Sequence, residues 1–347
     1  MTLSTSTPFP SWIHAAPEVR AALGGGKPIV ALESTVITHG LPRPVNLELA
    51  RQMEAQVRSA GAVPATIAVL DGHVCLGLMP EELERLALTT TTQKLNRRDL
   101  GVARARGTSG GTTVSATMFV AYSAGIRVFA TGGIGGVHRG AAGDVSADLT
   151  ELSHTPVAVV SSGAKAILDL PRTLEWLETA GVPVIGWKTD EFPAFFSRES
   201  GLPVSARVDG PGETAAILRA HWEQDAGTGV LICVPCPEAD ALPKPHVEVA
   251  IQQALLTAES VGVTGKDLTP FLLARVSELT GNASLRANLA LLRQNARVAG
   301  QTAELQPVGR GECPEALGGG QHHVGSHVLK RPSQRDKGLD VPSTSVG

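Results

Sequence analysis

The alternation of short apolar segments with helical periodicity constrains the fold more than any other feature of this sequence. Strand patterns occur at PIVALES (28–34), ATIAVLDG (65–72) with a hairpin partner VCLGL (74–78), IRVFATGG (126–133), VAVVSS (157–162), VPVIGWKT (182–189) and GVLICV (229–234). Helical patterns begin at Asn46, Glu81, Thr112 and Ala164, and further ones cover 212–223, 246–260, 270–280 and 284–304. Such alternation is typical of a sheet with helices on both faces. We predict an α/β fold, a three-layer α/β/α arrangement with a mostly parallel or mixed central sheet.

The composition allows one large core within the 347 residues, because 42% of them are hydrophobic and only 18% are charged. We predict a flexible N-terminal segment at 1–14 and a single α/β domain at 15–304. Beyond residue 304 apolar periodicity stops and Gly, Pro and Ser accumulate, which predicts a disordered tail at 305–347. Three histidines in that tail either bind a metal or, as is commoner in polar tails, are solvated: His322, His323 and His327.

Charge and aromatic content exclude several classes of partner. A net charge of -3 gives no basic footprint for nucleic acid, and 3% aromatic residues leave few platforms for base stacking. No secretory signal and no uninterrupted apolar run of membrane-spanning length is visible. Four cysteines without a regular framework are typical of a reducing compartment, so we expect a cytoplasmic protein that acts on a small molecule. CVPC at 233–236 fits either a redox or zinc motif or packing at a strand end.

Two strand ends carry candidate catalytic groups, since ligands of open α/β sheets bind at the carboxyl edge. Glu33 ends the first strand pattern in an apolar setting, where burial would raise a carboxyl pKa and create a proton donor. Capping of the next helix is the alternative. Lys165 follows VVSSGA, and partial desolvation there would favour the neutral amine that forms imines. A solvated surface charge is the ordinary alternative.

A glycine-rich segment, TGGIGGVHRGAAGDVSAD at 131–148, forms a third candidate edge. Its backbone amides could approach an anion, and His138 could contact a substrate, but its spacing matches no nucleotide-binding loop. Asp144 and Asp148 lie four residues apart, so on one helical turn both carboxylates would face one way and could hold a divalent ion. Helix capping is the alternative for one of them.

A lysine and a hydroxyl-rich helix start suggest a phosphate site. Lys94 precedes GTSGGTTVS, in which Thr112 and Thr113 open a helical pattern. Arg97 and Arg98 nearby could equally be a solvated charge cluster.

Several long segments resemble the pseudouridine-5'-phosphate glycosidase family, also called indigoidine synthase A-like, in order from about residue 15 to 304. They are ALESTVITHGLPRP, KLNRRDL, GTTVSATM, FATGGIGGVHRGA, SADLTEL, GAKAILDLPRTLEWLE, GVPVIGWKTDEFPAF and TPFLLARVSELTGNASLRANLALL. The sequence departs from the family in two places. The loop between Arg139 and Asp144 is about two residues shorter, and the last forty or so residues match nothing in the family.

The resemblance implies roles for particular residues. Glu33 corresponds to the family's proton donor, Lys165 to its nucleophile and Asp144 to the aspartate that binds the family's usual ion, manganese (Mn2+). Substrate contacts are implied for Lys94, Val114, Ser146, Ala147 and Asp148, with Asn288 near the active site. The implied reaction is reversible cleavage of pseudouridine 5'-phosphate to uracil and ribose 5-phosphate through a lysine imine, and the implied assembly is a homotrimer.

Three other functions stay open at the level of sequence. A family member could serve indigoidine-type pigment biosynthesis, which needs substrate profiling to separate. A non-catalytic phosphosugar-binding protein would not need Lys165 or Glu33. A nicotinamide-dependent oxidoreductase is disfavoured because the dinucleotide fingerprint is missing.

Overall fold

A computed structural model describes residues 9–140 and 143–306. Over these ranges the strands are β1 (Ile13–Ala15), β2 (Ile29–Leu32), β3 (Val63–Leu70), β4 (His73–Leu76), β5 (Gln93–Leu95), β6 (Gly110–Thr112), β7 (Val128–Ala130), β8 (Val137–His138), β9 (Ala158–Ser161), β10 (Leu168–Asp169), β11 (Val184–Trp187), β12 (Ala206–Val208) and β13 (Val230–Cys233).

The α-helices of the same ranges are α1 (Pro17–Gly24), α2 (Thr35–Thr38), α3 (Val45–Ser59), α4 (Pro80–Leu88), α5 (Leu100–Arg106), α6 (Val114–Ser123), α7 (Ala147–Leu152), α8 (Leu170–Thr179), α9 (Pro211–Glu223), α10 (Lys244–Ser260), α11 (Leu268–Leu279) and α12 (Ala283–Glu304). Short 3-10 turns lie at Arg97–Asp99 and Gly265–Asp267. In the described part of the chain no helix is long and apolar enough to cross a membrane.

One mixed sheet forms the middle layer. Its strands run in the order β1-β4-β3-β2-β7-β9-β13-β11-β12, with β6 paired to β3 and β5 to β6. The pairs β3–β4 and β3–β6 are antiparallel, whereas β2, β7, β9, β13, β11 and β12 pair in parallel. Helices α3 and α12 pack together, α3 also packs against β3 and α12 against β7, and α6 packs on β2, β3 and β7. The predicted three-layer fold with a mixed sheet is confirmed.

The register of the central strands brings their carboxyl ends level. Ala130 of β7 lies opposite Leu32 of β2 on one side and opposite Val160 of β9 on the other. The residues that follow these strands therefore emerge side by side at one edge of the sheet. Glu33, Thr131 and Ser162 occupy this edge.

The helix predicted from Ala164 begins later than its pattern indicated. Ala164 pairs with Ile134 in an isolated bridge, and β10 then pairs antiparallel with β8. The helix α8 starts only at Leu170, where a proline fills an early helical position and Asp169 accepts a hydrogen bond from the Arg172 amide at 3.1 Å. Between Lys165 and the helix the chain makes a turn, in which the Leu168 amide donates to the Lys165 carbonyl oxygen at 3.0 Å, and then the two-residue strand β10.

The first strand and the last helix lie close to the predicted domain bounds. Residues 13–15 form β1 beside β4, so regular structure begins before residue 15, where the sequence pattern placed the domain start. Helix α12 ends at Glu304, next to the predicted boundary. The predicted tail, apart from residues 305 and 306, lies outside the described residues, as do His322, His323 and His327.

Candidate functional site

A cavity of about 790 Å³ opens at the carboxyl edge of β2, β7 and β9. Nearly all of the predicted site residues line it. They are Glu33, Lys94, Thr113, Val114, His138, Asp144, Ser146, Ala147, Asp148, Lys165 and Asn288. Segments more than 250 residues apart in the sequence therefore meet in one chamber.

Thr112 is the predicted substrate contact that does not line this cavity. It lies in β6, is fully buried, and its hydroxyl donates to the Ile67 carbonyl oxygen at 2.6 Å. Thr117 in turn donates to the Thr112 hydroxyl at 2.9 Å. Thr112 therefore belongs to the packing between β6, β3 and α6, and its prediction as a binding residue was wrong.

Glu33 is a buried carboxyl group at the cavity wall. Only 7% of the residue is exposed, and the Thr131 hydroxyl donates a hydrogen bond to Oε1. Burial raises the pKa of Glu33; the charges of Lys165 and Lys94 and the Thr131 hydrogen bond oppose this, while Asp148 adds to it. Ser34, not Glu33, precedes α2. The capping alternative therefore fails, and Glu33 has the environment of a proton donor.

Lys165 is half-buried and faces the same cavity. Its ammonium nitrogen Nζ donates to the Gly133 carbonyl oxygen at 2.7 Å, and its backbone amide donates to Ile134 at 3.1 Å. The electrostatic influence of Lys165 on Glu33 places the two side chains in one neighbourhood. Lys165 is therefore not a solvated surface lysine, and an amine and a carboxylic acid share the chamber.

Asp148 ties the glycine-rich segment to α6. Its Oδ1 accepts from the Ser115 amide at 3.0 Å, and its Oδ2 accepts from the Gly135 amide at 2.8 Å. Ser146 is the N-cap of α7 and accepts from the Asp148 amide at 3.3 Å. Asp144 lies outside that helix, so the predicted shared helical turn of Asp144 and Asp148 was wrong. The helix cap is a serine, and Asp148 stays in the cavity wall.

Gly135 makes this arrangement possible because no side chain would fit there. A Cβ on Gly135 would lie 2.2 Å from Ser146 Oγ and 2.8 Å from Asp148 Oδ2. We expect Gly135→Ala to destabilise the fold by about 1 to 3 kcal/mol and to weaken ligand binding at the cavity. Thermal melting and ligand titration of the variant measure both effects. Gly101→Ala on α5, where nothing lies within 4 Å, is the matched control: it should not lower the melting temperature and should leave ligand binding unchanged. Equal behaviour of the two variants would contradict this account.

Two further basic side chains line the cavity, Lys94 on β5 and His138 on β8. Burial lowers the pKa of Lys94 on β5, and the charge of Lys165 adds to the effect. Burial likewise lowers the pKa of His138, which favours a neutral imidazole, while Asp144 opposes the change. Lys94 Nζ, the Thr113 hydroxyl at the start of α6 and the neutral His138 can together receive a phosphate or sugar hydroxyl.

Asp144 is the candidate metal ligand. Its side chain is 48% exposed, and its Oδ2 lies 3.9 Å from His138 Nδ1. No group of three or more His, Cys, Asp or Glu side chains placed to hold a metal occurs among residues 9–140 and 143–306. A single carboxylate fits a hydrated hard cation that takes its other ligands from water and a bound phosphosugar, and it does not fit an enclosed protein site.

Some cavity residues carried no sequence signal of their own. Thr131 and Phe195 line the chamber, as do Gly265 and Asp267 before α11 and Thr269, Pro270 and Leu273 within it. Phe195 adopts a positive φ of 61° and packs against Gly133, where an added Cβ would lie 2.7 Å from its ring. Only contact with distant segments brings these residues to the cavity.

Neither cysteine of the CVPC pair is among the residues that line the cavity. Cys233 and Cys236 are unpaired and buried, and burial raises the pKa of both thiols, that of Cys236 to about 12. Neither thiol is then the ready thiolate that redox chemistry or zinc binding needs. Packing at the end of β13 explains the motif.

The fold and the site define a class: a three-layer α/β protein whose buried carboxylic acid and half-buried lysine face one cavity at the carboxyl edge of the sheet. The model of the indigoidine synthase A like proteins matches residues 18–305. A pseudouridine-5'-phosphate glycosidase of Methylobacterium nodulans is 54% identical over 306 residues, 88% of this chain and 91% of that protein. One from Solibacter usitatus is 56% identical over 289 residues, 83% of this chain and 97% of that protein.

Solved structures agree with these relatives. An indigoidine synthase A-like protein from Thermotoga maritima superposes with a TM-score of 0.77 at 40% identity, over 84% of this chain and 95% of that one. A prealnumycin C-glycosynthase in complex with ribulose 5-phosphate gives a TM-score of 0.79 at 41% identity, over 85% and 97%. The chain belongs to the pseudouridine-5'-phosphate glycosidase family, the indigoidine synthase A-like proteins.

Proposed function

We propose that this protein is a pseudouridine-5'-phosphate glycosidase, which reversibly cleaves the bond between C5 of uracil and C1' of ribose 5-phosphate. The observation that carries the proposal is the presence of Glu33 and Lys165 in one shielded cavity. The names of its relatives, at more than half identity over most of the chain, support the substrate. The ribulose 5-phosphate bound by the C-glycosynthase supports a phosphosugar ligand.

The chemistry explains why an amine is needed. A carbon-carbon bond has no heteroatom leaving group, so the carboxylate pair of ordinary glycosidases is insufficient. The Lys165 amine bonds to C1' as the ring oxygen O4' leaves and takes a proton. The C1'–C5 bond then breaks, its electrons pass to uracil, Glu33 protonates C5, and the nitrogen lone pair forms a C1'=N imine. Water adds to the imine and releases ribose 5-phosphate and the free amine.

Other cavity residues hold the substrate in this scheme. Lys94 and Thr113, which line the cavity, are assigned to the phosphate, and Asn288, 8% exposed, is assigned to the base. Asp148 is the second carboxyl group of the wall and is assigned proton transfer at O4'. The remaining substrate contacts are assigned to four other residues that line the cavity: Val114, His138, Ser146 and Ala147.

Manganese is proposed as the divalent ion, with Asp144 as its protein ligand. When bound, such an ion orders water and neutralises phosphosugar charge. Every bond-breaking step is assigned to Lys165, Glu33 and Asp148.

The raised pKa of Glu33 predicts a pH dependence. Glu33 donates a proton only while it is protonated, so kcat for uracil release should fall as pH rises through this elevated pKa. An ordinary exposed glutamate would lose its proton at lower pH. Initial rates under saturating substrate across the pH range test this. A kcat that shows no decline at alkaline pH over the range in which the protein stays folded would remove Glu33 as the donor.

A substrate series tests the function itself. Pseudouridine 5'-phosphate with a manganese salt should release uracil, and pseudouridine without the phosphate should react far more slowly. Uridine 5'-phosphate should release little uracil, because protonation of a ring carbon by Glu33 does not help to break its bond. Chromatography of free uracil measures all three. Failure to release uracil from pseudouridine 5'-phosphate, with or without manganese, would overturn the proposal.

A second candidate is carbon-carbon bond formation in the biosynthesis of a pigment or another C-glycoside. The similarity to a prealnumycin C-glycosynthase favours it. Incubation of ribose 5-phosphate with uracil or other nucleophilic rings separates the two directions.

We also propose a cytoplasmic location and a homotrimer. The buried, unpaired thiols of Cys75, Cys233 and Cys236 support a reducing compartment. Exposed apolar side chains on and after α10 support self-association: Val249, Leu256 and Val261. Light scattering coupled to size exclusion tests the trimer.

A further inference from the structure

Two buried polar residues that the proposed mechanism does not use connect Glu33 with Lys165. Thr131 directly follows β7, and Asn295 lies in the middle of α12. Both residues have 0% exposure. A polar group that is buried so completely costs free energy unless it is paired, so its partners indicate what it stabilises.

The segment from Thr131 to Gly133 touches both reactive groups. The Thr131 hydroxyl donates to Glu33 Oε1, and two residues later the Gly133 carbonyl oxygen accepts from Lys165 Nζ at 2.7 Å. A displacement of this short backbone segment would move the carboxylic acid and the amine together.

The side chain of Asn295 hydrogen-bonds the backbone of the Thr131–Gly133 segment. Its amide nitrogen Nδ2 lies 2.8 Å from the Thr131 carbonyl oxygen, 3.3 Å from that of Gly132 and 3.2 Å from Ser162 Oγ. The Ser162 amide also donates to the Gly132 carbonyl oxygen at 2.8 Å. The side chain of Asn295 thus joins the carboxyl ends of β7 and β9, the two strands that lead to Thr131 and to Lys165.

We propose that Asn295 and Thr131 are positioning residues for the reaction: Asn295 fixes the Thr131–Gly133 backbone, and Thr131 holds Glu33 Oε1 so that Oε2 carries the transferred proton. The inference rests on the proposed glycosidase function. The charged groups that face Glu33 are Lys165, Asp148 and Lys94, and the Thr131 hydroxyl is the neutral donor beside them. A neutral donor orients the carboxyl group without adding charge to the cavity.

A matched pair of variants tests Thr131. Thr131→Ser and Thr131→Ala both remove the methyl group and differ only in the hydroxyl. We expect Thr131→Ser to keep kcat within about twofold and Thr131→Ala to lose about tenfold to a hundredfold, with KM little changed. Without the donor the ionised form of Glu33 is less favoured, so the alkaline limb of the kcat profile should move to higher pH in Thr131→Ala only. If Thr131→Ala melts below the assay temperature, Thr131→Val, which keeps the volume and lacks the hydroxyl, replaces it.

Asn295 is tested against a control on the same helix. Thr302→Val removes a fully buried hydroxyl whose hydrogen bond lies within α12, to the Val298 carbonyl oxygen at 2.9 Å. We expect Asn295→Ala to lower kcat about tenfold or more at temperatures where it stays folded, and Thr302→Val to leave kcat unchanged.

Uracil release by the wild-type protein distinguishes failure of the glycosidase function from failure of the positioning role. If the wild-type protein releases no uracil, the glycosidase function fails. If it does, and Thr131→Ala and Asn295→Ala keep the wild-type kcat and pH profile, the positioning role alone is overturned. A kcat loss in Thr131→Ser equal to that in Thr131→Ala would also overturn it.

Discussion

Replacement of Lys165 by alanine is expected to lower kcat/KM for pseudouridine 5'-phosphate by about a thousandfold or more. The variant loses the nitrogen that bonds to C1' and provides the electron pair of the C1'=N imine when the carbon-carbon bond breaks. Because the Lys165 side chain is half-buried and its hydrogen bond is to the Gly133 carbonyl oxygen, whereas its backbone amide is unaffected by the substitution, the fold should tolerate the change. Uracil release under saturating substrate measures the loss.

The control for this variant is an exposed lysine outside the cavity. Lys27→Ala removes an exposed lysine in the turn before β2 and should keep wild-type kinetics. Circular dichroism of both variants confirms that each is folded. Residual activity of Lys165→Ala above about a tenth of wild type would show that the amine is not the nucleophile.

Glu33→Gln is expected to separate the two halves of the reaction. The amide keeps the shape of the side chain and cannot donate a proton to carbon, so cleavage of pseudouridine 5'-phosphate should fall by about a hundredfold to ten-thousandfold. Imine formation between Lys165 and ribose 5-phosphate needs no proton on uracil and should persist. Uracil release and borohydride trapping, measured on the same preparation, give the two quantities.

The opposite result would assign Glu33 a different role in the reaction. If Glu33→Gln abolishes trapping with ribose 5-phosphate but cleaves pseudouridine 5'-phosphate normally, then Glu33 assists imine chemistry and another group protonates uracil. Glu33→Asp serves as the conservative control, because it retains the acid but shortens its reach, and it should recover part of the cleavage rate.

The central strands were predictable because burial on both faces gives continuous apolar runs. PIVALES, VAVVSS and GVLICV correspond to β2, β9 and β13. Glu33 and Lys165 could be singled out because Glu33 directly follows β2 and Lys165 lies four residues after β9.

The short edge elements were not predictable from local pattern. β6 is built largely from glycine, which is a poor strand former. Gly111 is required there by tertiary packing, since a Cβ would lie 2.3 Å from Thr38 Oγ1 and 2.8 Å from the Ser34 carbonyl oxygen. Thr112 was assigned to the ligand because its packing partner, Ile67, lies 45 residues away.

The helical periodicity of α12 could have identified Asn295 from the sequence. Asn288, Leu292, Asn295 and Ala299 are buried at spacings of four, three and four, so both asparagines lie on the apolar face of α12. A polar residue on such a face requires a partner in the core. The pattern could have singled out Asn295, but only the fold shows that its partners are the ends of β7 and β9.

The covalent adduct is the most direct test of the account. The protein is incubated with ribose 5-phosphate, reduced with borohydride, digested and analysed by mass spectrometry. We expect one modified peptide, with reduced ribose 5-phosphate on Lys165, and no adduct in Lys165→Ala. An adduct on Lys94 instead, or none in a preparation that releases uracil from pseudouridine 5'-phosphate, would contradict it.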